Sequence, residues 1–196
     1  MLNLKYKQKY LKYKNKYLHI KSQIGGSISQ VLALTLSILL GPPQAPHAVL
    51  LRELRDERVN DIVLSRILEE LMNNPPQTNN AKRLIFSNII AWVHALPQVQ
   101  LEENMNYLRR TIYQINQTGP DTQVESNSLI SMVILLAMLL TSNQVADDDL
   151  LTNMRQLLAQ HVLTHRWLQP LTNMLLNLNV AILTNSFEEL LINLRH

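Results

Sequence analysis

Along this chain apolar residues recur every three or four positions and almost never alternate. In Leu101, Met105, Leu108, Ile112 and Ile115 the spacing is 4-3-4-3, which lines five side chains along one stripe of a helix. No Asn-Gly or Asp-Gly pair offers a hairpin turn, and no run alternates long enough for a half-buried strand. The pattern predicts helices over 3–23, 28–40, 46–73, 79–95, 99–117, 126–141, 147–168 and 171–194. Breaks are expected near Asn60 in the third and near Asn185 in the last. Two stretches are apolar runs, Val31–Leu40 (VLALTLSILL) and Leu129–Leu140 (LISMVILLAMLL), and the second is apolar on every side. A helix with no polar face has to be surrounded, so Leu129–Leu140 is expected at the centre of the core. The expected fold is all-α: a compact bundle of about seven helices around an apolar central helix, preceded by a basic amphipathic helix. No fixed-period repeat argues for a solenoid.

Punctuation supports these divisions. Gly25-Gly26, Gly41-Pro42-Pro43, Asn73-Asn74-Pro75-Pro76, Pro97, Gly119-Pro120, Ser142-Asn143, Pro170 and Asn185-Ser186 interrupt the periodic segments. Asp147-Asp148-Asp149 offers an N-cap with negative charge in the first turn. Ser186 with Glu188-Glu189 has the same appearance, and marks the expected start of the last helical segment. Neither apolar stretch reaches the roughly 20 residues a membrane-spanning helix needs. The stretch at 31–40 lies behind too long a basic region, and before too poor a cleavage site, for a secretory signal. Both are read as buried helices.

Charge divides the chain in two. Residues 1–26 contain seven lysines and no acid, whereas residues 27–196 contain eleven basic and fifteen acidic residues, so +7 gives way to −4. The pI near 9.2 belongs to the opening segment, and nucleic-acid binding by the body is not expected. Two domains are therefore read: 1–26, a basic Lys/Tyr leader helix, and 27–196, an all-α globular domain. Within the leader, Tyr6, Tyr10, Tyr13, Tyr17, Ile20 and Ile24 are spaced 4-3-4-3-4, a heptad seam. Lys5/Lys9 and Lys12/Lys16 are like-charge pairs one turn apart, each costing about 0.2–0.5 kcal/mol in an isolated helix. Such a segment is expected to become helical when something buries its seam. Another helix, the acidic body or an anionic surface would each serve.

The stretch Tyr10-Leu11-Lys12-Tyr13-Lys14-Asn15-Lys16-Tyr17-Leu18, followed by Lys21, Gln23-Ile24 and Gly25-Gly26, resembles a leader of the form KYLKYKNKYLxLKxQxGG. That leader is found in proteins of mimivirus-like giant DNA viruses of amoebae. The resemblance covers about residues 5–26; His19-Ile20 departs slightly from the usual residues, and Ser22 replaces a frequent Lys. In that group the leader precedes domains of quite different kinds. The resemblance thus implies a viral origin and a shared handling step, with the protein in the virion or in the host cytoplasm at the viral factory. It does not imply an activity. Gly25, Gly26 and Ser27 form the expected boundary, either a flexible hinge or the site of a Gly-Gly-directed cysteine protease of the kind such viruses tend to encode.

Candidate chemistry in the body is sparse. The chain has no cysteine, which excludes disulfides, thiol nucleophiles and zinc–thiolate sites. His161 and His165 would stand one turn apart on a helix, but Val162 occupies the position where a zincin carries Glu. They are read as two histidines on a partly exposed face, without a metal. Glu69-Glu70, Glu102-Glu103 and Glu188-Glu189 are adjacent residues that diverge by about 100° on a helix, and read as solvated faces. Arg52, Arg55 and Arg58 interleave with Glu53, Asp56 and Glu57; with Arg66 and Arg109-Arg110 they suggest local ion pairs more than a phosphate groove. Trp92 and Trp167 sit among aliphatic residues, as core or groove-lining side chains. The glycosylation triplet Asn116-Gln117-Thr118 is of a kind common by chance. No P-loop, GxGxxG or GxSxG word is present. A non-enzymatic module without cofactor is expected, acting on a viral or host protein partner. The alternative is a viral helical regulator that binds a host helix in a hydrophobic groove, as apoptosis regulators of the B-cell-lymphoma type do. The Asn-Trp-Gly-Arg word of that group is absent.

Overall fold

The computed structural model describes residues 28–40, 62–118, 126–142 and 146–194. Among these residues there are eight α-helices and no β-strand: α1 (Ile28–Leu40), α2 (Ile62–Asn73), α3 (Asn79–His94), α4 (Gln98–Thr118), α5 (Ser126–Leu140), α6 (Asp148–Thr164), α7 (Gln169–Leu176) and α8 (Val180–Asn193). The all-α expectation holds. The leader with its tyrosine seam, Gly25, Gly26, Ser27, the expected break near Asn60 and Arg52, Arg55 and Arg58 lie outside the described residues.

Helix α5 is the axis of the core. Leu129 through Leu139 are all buried, including Ser131. Helices α1, α3, α4, α6, α7 and α8 pack against it, and α2 lies against α3. This is the arrangement a helix without a polar face demands, since each buried Leu or Ile stabilises the fold by about 1.5–3 kcal/mol. Each surrounding helix turns one stripe inward. On α4 the stripe is the expected one: Leu101, Met105, Leu108 and Ile112 are buried, and Ile115 is partly so. Helices α3 and α8 are joined by Phe86 and Phe187, both buried, whose rings stack 3.8 Å apart at 7°. At the rim of that contact Arg83 meets Glu188 at 3.0 Å, an exposed pair of small energetic weight.

Local chemistry fixes the ends. Thr78 Oγ1 accepts from the Ala81 amide at the start of α3. The chain then turns through 112° between α3 and α4. Pro97 makes that corner; its carbonyl accepts from the amides of Gln100 and Leu101 as α4 begins.

Two expected boundaries are corrected. The helix foreseen over 147–168 stops at Thr164, and a 3-10 turn at Arg166–Leu168 leads into α7. Pro170 lies in the first turn of α7. Its ring would clash with the Arg166 carbonyl in a continuous helix, so one α-helix cannot run from α6 through Pro170. The second correction concerns 171–194, which breaks at Asn177–Asn179 and not at Asn185. Asn179 Oδ1 caps α8 through the Ala181 amide at 2.8 Å. Ser186, read as a helix start, is buried in the middle of α8. The stripe Leu183, Phe187, Leu190 and Leu191 runs through it into the core, and that burial outweighs the local capping preference of a serine.

Several buried polar groups have partners. Ser29 Oγ donates to Asn104 Oδ1, and Asn104 Nδ2 donates to the Gln100 carbonyl at 2.6 Å, so the start of α1 is held to α4. Where α3 and α5 end, His94 Nε2 lies 2.9 Å from Thr141 Oγ1. The Thr141 hydroxyl is within 2.9 Å of the Ala137 and Met138 carbonyls. Its single proton goes to one of these carbonyls or to the His94 ring nitrogen, according to the tautomer of the imidazole.

Leu135→Ala in α5 is expected to cost about 2–5 kcal/mol, because the packed neighbours leave a cavity they cannot close. Chemical denaturation measures it, and a loss well below that range would show that α5 is not tightly enclosed. Partial burial holds the His94 pKa below 6.5, with a smaller opposing contribution from the Met138 backbone. The unfolded chain therefore binds a proton more readily than the fold does as pH falls below about 6.5. Full stability from this residue is present above that pH and is lost as pH drops through the lowered folded value. The difference in stability between the wild type and His94→Gln should shrink across that fall in pH; an unchanged difference would contradict the direction of the shift.

Candidate functional site

A solvent-open groove of about 650 Å³ runs between α4 and the start of α6. One wall is Arg109, Ile112, Tyr113 and Asn116 of α4. The other is Ala146 with Asp147, Asp148, Asp149, Leu150 and Asn153. Helical spacing explains the α4 wall: Arg109, Ile112, Tyr113 and Asn116 follow at three and four residues, so they share a face. Ile112 and Leu150 form a buried floor, and Tyr113 is exposed at the edge.

Asp147 organises the groove. One oxygen, Oδ1, caps α6 by accepting from the Leu150 amide at 2.8 Å. The other, Oδ2, accepts from Arg109 Nε at 2.6 Å and pairs with Arg109 Nη2 at 2.5 Å. Arg109 Nη1 also donates to Asn106 Oδ1 at 2.6 Å. The Asp147 side chain is 10% exposed and that of Arg109 47%, so the carboxylate is sheltered while the guanidinium stays half in water. Asp148 and Asp149 stand exposed in the first turn of α6, where the helix dipole favours negative charge. The capping role foreseen for the aspartate run is thus met by Asp147. One arginine faces three aspartates, and the lining carries a formal charge of −2.

The other sequence candidates do not converge here. His161 is the last-turn basic residue of α6, but His165 has left the helix with φ −131° and ψ 80°. Its ring lies 6.0 Å from that of Trp167. His165 is the C-cap, and its amide still donates to the His161 carbonyl at 2.8 Å, so the two residues remain one turn apart at the very end of the helix, on a partly exposed face. Among the described residues no group of three or more His, Asp or Glu is placed to hold a metal ion. Glu69, Glu70, Glu102, Glu103 and Glu189 are exposed, as expected of solvated faces, and Glu188 belongs to the Arg83 pair. Arg66 is exposed, and Arg110 Nε donates to the Asn106 carbonyl at 3.3 Å. Trp92 is a core residue, and Trp167 is partly buried against the core. Sequence reasoning missed the Arg109–Asp147 pair, which spans 38 residues. It also missed Arg155, whose Nη2 reaches the Leu175 carbonyl at 2.6 Å and satisfies the end of α7. Neither contact has a local signature. Among the described residues no single helix is long and apolar enough to cross a membrane.

Asp147→Ala removes both the cap and the ion pair, and is expected to cost about 1–2 kcal/mol. Asp147→Asn keeps a good cap and loses only a pair with a half-exposed partner, so less than about 1 kcal/mol is expected. Equal losses in chemical denaturation would show that the ion pair, not the cap, dominates.

The chain matches no known protein family, no curated protein and no solved structure.

Proposed function

We propose that the chain is a non-enzymatic giant-virus protein. Its body, residues 27–196, is an all-α interaction or virion-component module, and residues 1–26 are a separable docking or targeting leader. The observation that carries this reading is the reversal of charge at Ser27, from +7 to −4, at the point where the tyrosine seam also ends. A segment selected for the body's own solubility or stability would have no need of a heptad seam covered by lysines. The partner is a viral or host protein, met in the particle or in the host cytoplasm.

Two features of the body support a binding role. The polar groups assembled at the groove make a helix cap and an ion pair. Large apolar side chains are also left in water, among them Leu163 at 85% exposure. The groove between α4 and α6 is lined by charged and amide side chains above a small apolar floor. That lining suits a charged partner better than the apolar face of a host helix, and so favours this reading over a helix-binding regulator.

The test is location. Residues 1–26 fused to an unrelated soluble reporter should concentrate the reporter at the viral factory or in particles of infected cells, and the reporter alone should not. If both distribute alike, residues 1–26 are only a solubilising tail. Mass spectrometry of the virus-derived protein then distinguishes a hinge, with Met1 retained, from a processing site, with Ser27 as the new N-terminus.

A further inference from the structure

We infer that the groove between α4 and α6 is the resting place of the chain's own basic leader. The inference rests on residues 1–26 being a docking segment, as proposed above. It adds a first partner, which is the body itself. Charge is the first argument. The leader has seven lysines and no acid, and the groove carries −2. Asp147 already neutralises Arg109, so the carboxylates facing a newcomer are those of Asp148 and Asp149. Surface chemistry is the second. Four of the six seam residues, Tyr6, Tyr10, Tyr13 and Tyr17, join an apolar ring to a polar hydroxyl. Tyr113 and Ala146 stand exposed beside Asp148 and Asp149, and give such rings an edge to lie against above the buried Ile112 and Leu150.

Where the leader ends is the third argument. Ser29, three residues past Gly26, is bonded to Asn104 of α4, the helix that forms one wall of the groove. From Asn104 to Arg109, where that wall begins, the helix rises about 7.5 Å. Lys21 precedes Ser29 by eight residues, and eight extended residues reach up to about 26 Å. The leader can therefore pass around α4 and enter the groove of the same molecule. Other acidic sites among the described residues fit less well. Glu188 is held by Arg83, Glu102 accepts from Gln98 at 2.9 Å, and Glu69-Glu70 on α2 do not line the groove. Arg110 is the opposing charge on α4, and it leans back on the Asn106 carbonyl. Occupied in this way, the leader would be withheld from outside partners until a stronger acidic surface competed for it.

The full chain, Met1–His196, tests this with a zero-length carbodiimide crosslinker that joins lysine to carboxylate. A mixture of heavy- and light-isotope protein separates contacts within one chain from those between two. Crosslinks from Lys5–Lys21 should fall chiefly on Asp148 and Asp149, within one chain, and fade as salt is raised. Trypsin should cut after the leader lysines several-fold more slowly in the wild type than in the double variant Asp148→Asn, Asp149→Asn, with circular dichroism confirming that the variant is folded. Crosslinks spread evenly over Glu69, Glu70, Glu103 and Glu189, or found only between two chains, overturn the inference. So does equal cleavage of wild type and folded variant. If the variant does not fold, the wild-type crosslink map decides alone. None of these outcomes affects the reporter test of targeting, so the two ideas can fail separately.

Discussion

Everything described in this protein follows from the need to bury α5. Its side chains from Leu129 to Leu139 leave no face that water could solvate. A single partner helix could cover only one stripe, so several helices have to close around it. Six of them do, and each then needs only one apolar stripe of its own. This is why α4 can be rich in polar residues and still be firmly held: Leu101, Met105, Leu108 and Ile112 meet the core while Glu102, Glu103 and Arg110 stay in water.

Surrounding one helix with many short ones multiplies helix ends, and every end leaves backbone groups without helical partners. The protein meets this with side chains. Thr78, Asp147 and Asn179 cap α3, α6 and α8. The Pro97 carbonyl begins α4, and Arg155 satisfies a carbonyl at the end of α7. Asp147 does more than cap. Its second oxygen binds Arg109, so the start of α6 and the middle of α4 are fixed relative to each other, and the groove between them takes its shape from that one carboxylate.

The division of charge gives the surface its meaning in the proposed function. A body of net negative charge and a wholly basic leader attract each other over about 10 Å at about 0.1 M salt, and over about 30 Å at about 0.01 M. Any external acidic or helical partner of the leader would compete with that attraction.

Much of this was legible along the chain. The 4-3 spacing of α4, the all-apolar run of α5 and the aspartates before α6 each state a local requirement, and the fold meets all three. These are properties of neighbouring residues: a stripe exists once its spacing exists, and a cap needs only the amides two or three positions ahead. Only the tertiary structure decided the rest. Ser186 looks like a helix start, yet α8 begins after Asn179, because Leu183, Phe187, Leu190 and Leu191 have to stay on a single stripe against the core. His161 and His165 look like a pair in mid-helix, yet α6 ends at His165, and the chain turns there to bury Leu168 and enter α7. The groove depends on Arg109 meeting Asp147 across 38 residues, a contact between helices that each fold for their own reasons. Spacing along a chain sets which face a residue shares, but which faces meet is settled by how the whole set of stripes closes around α5.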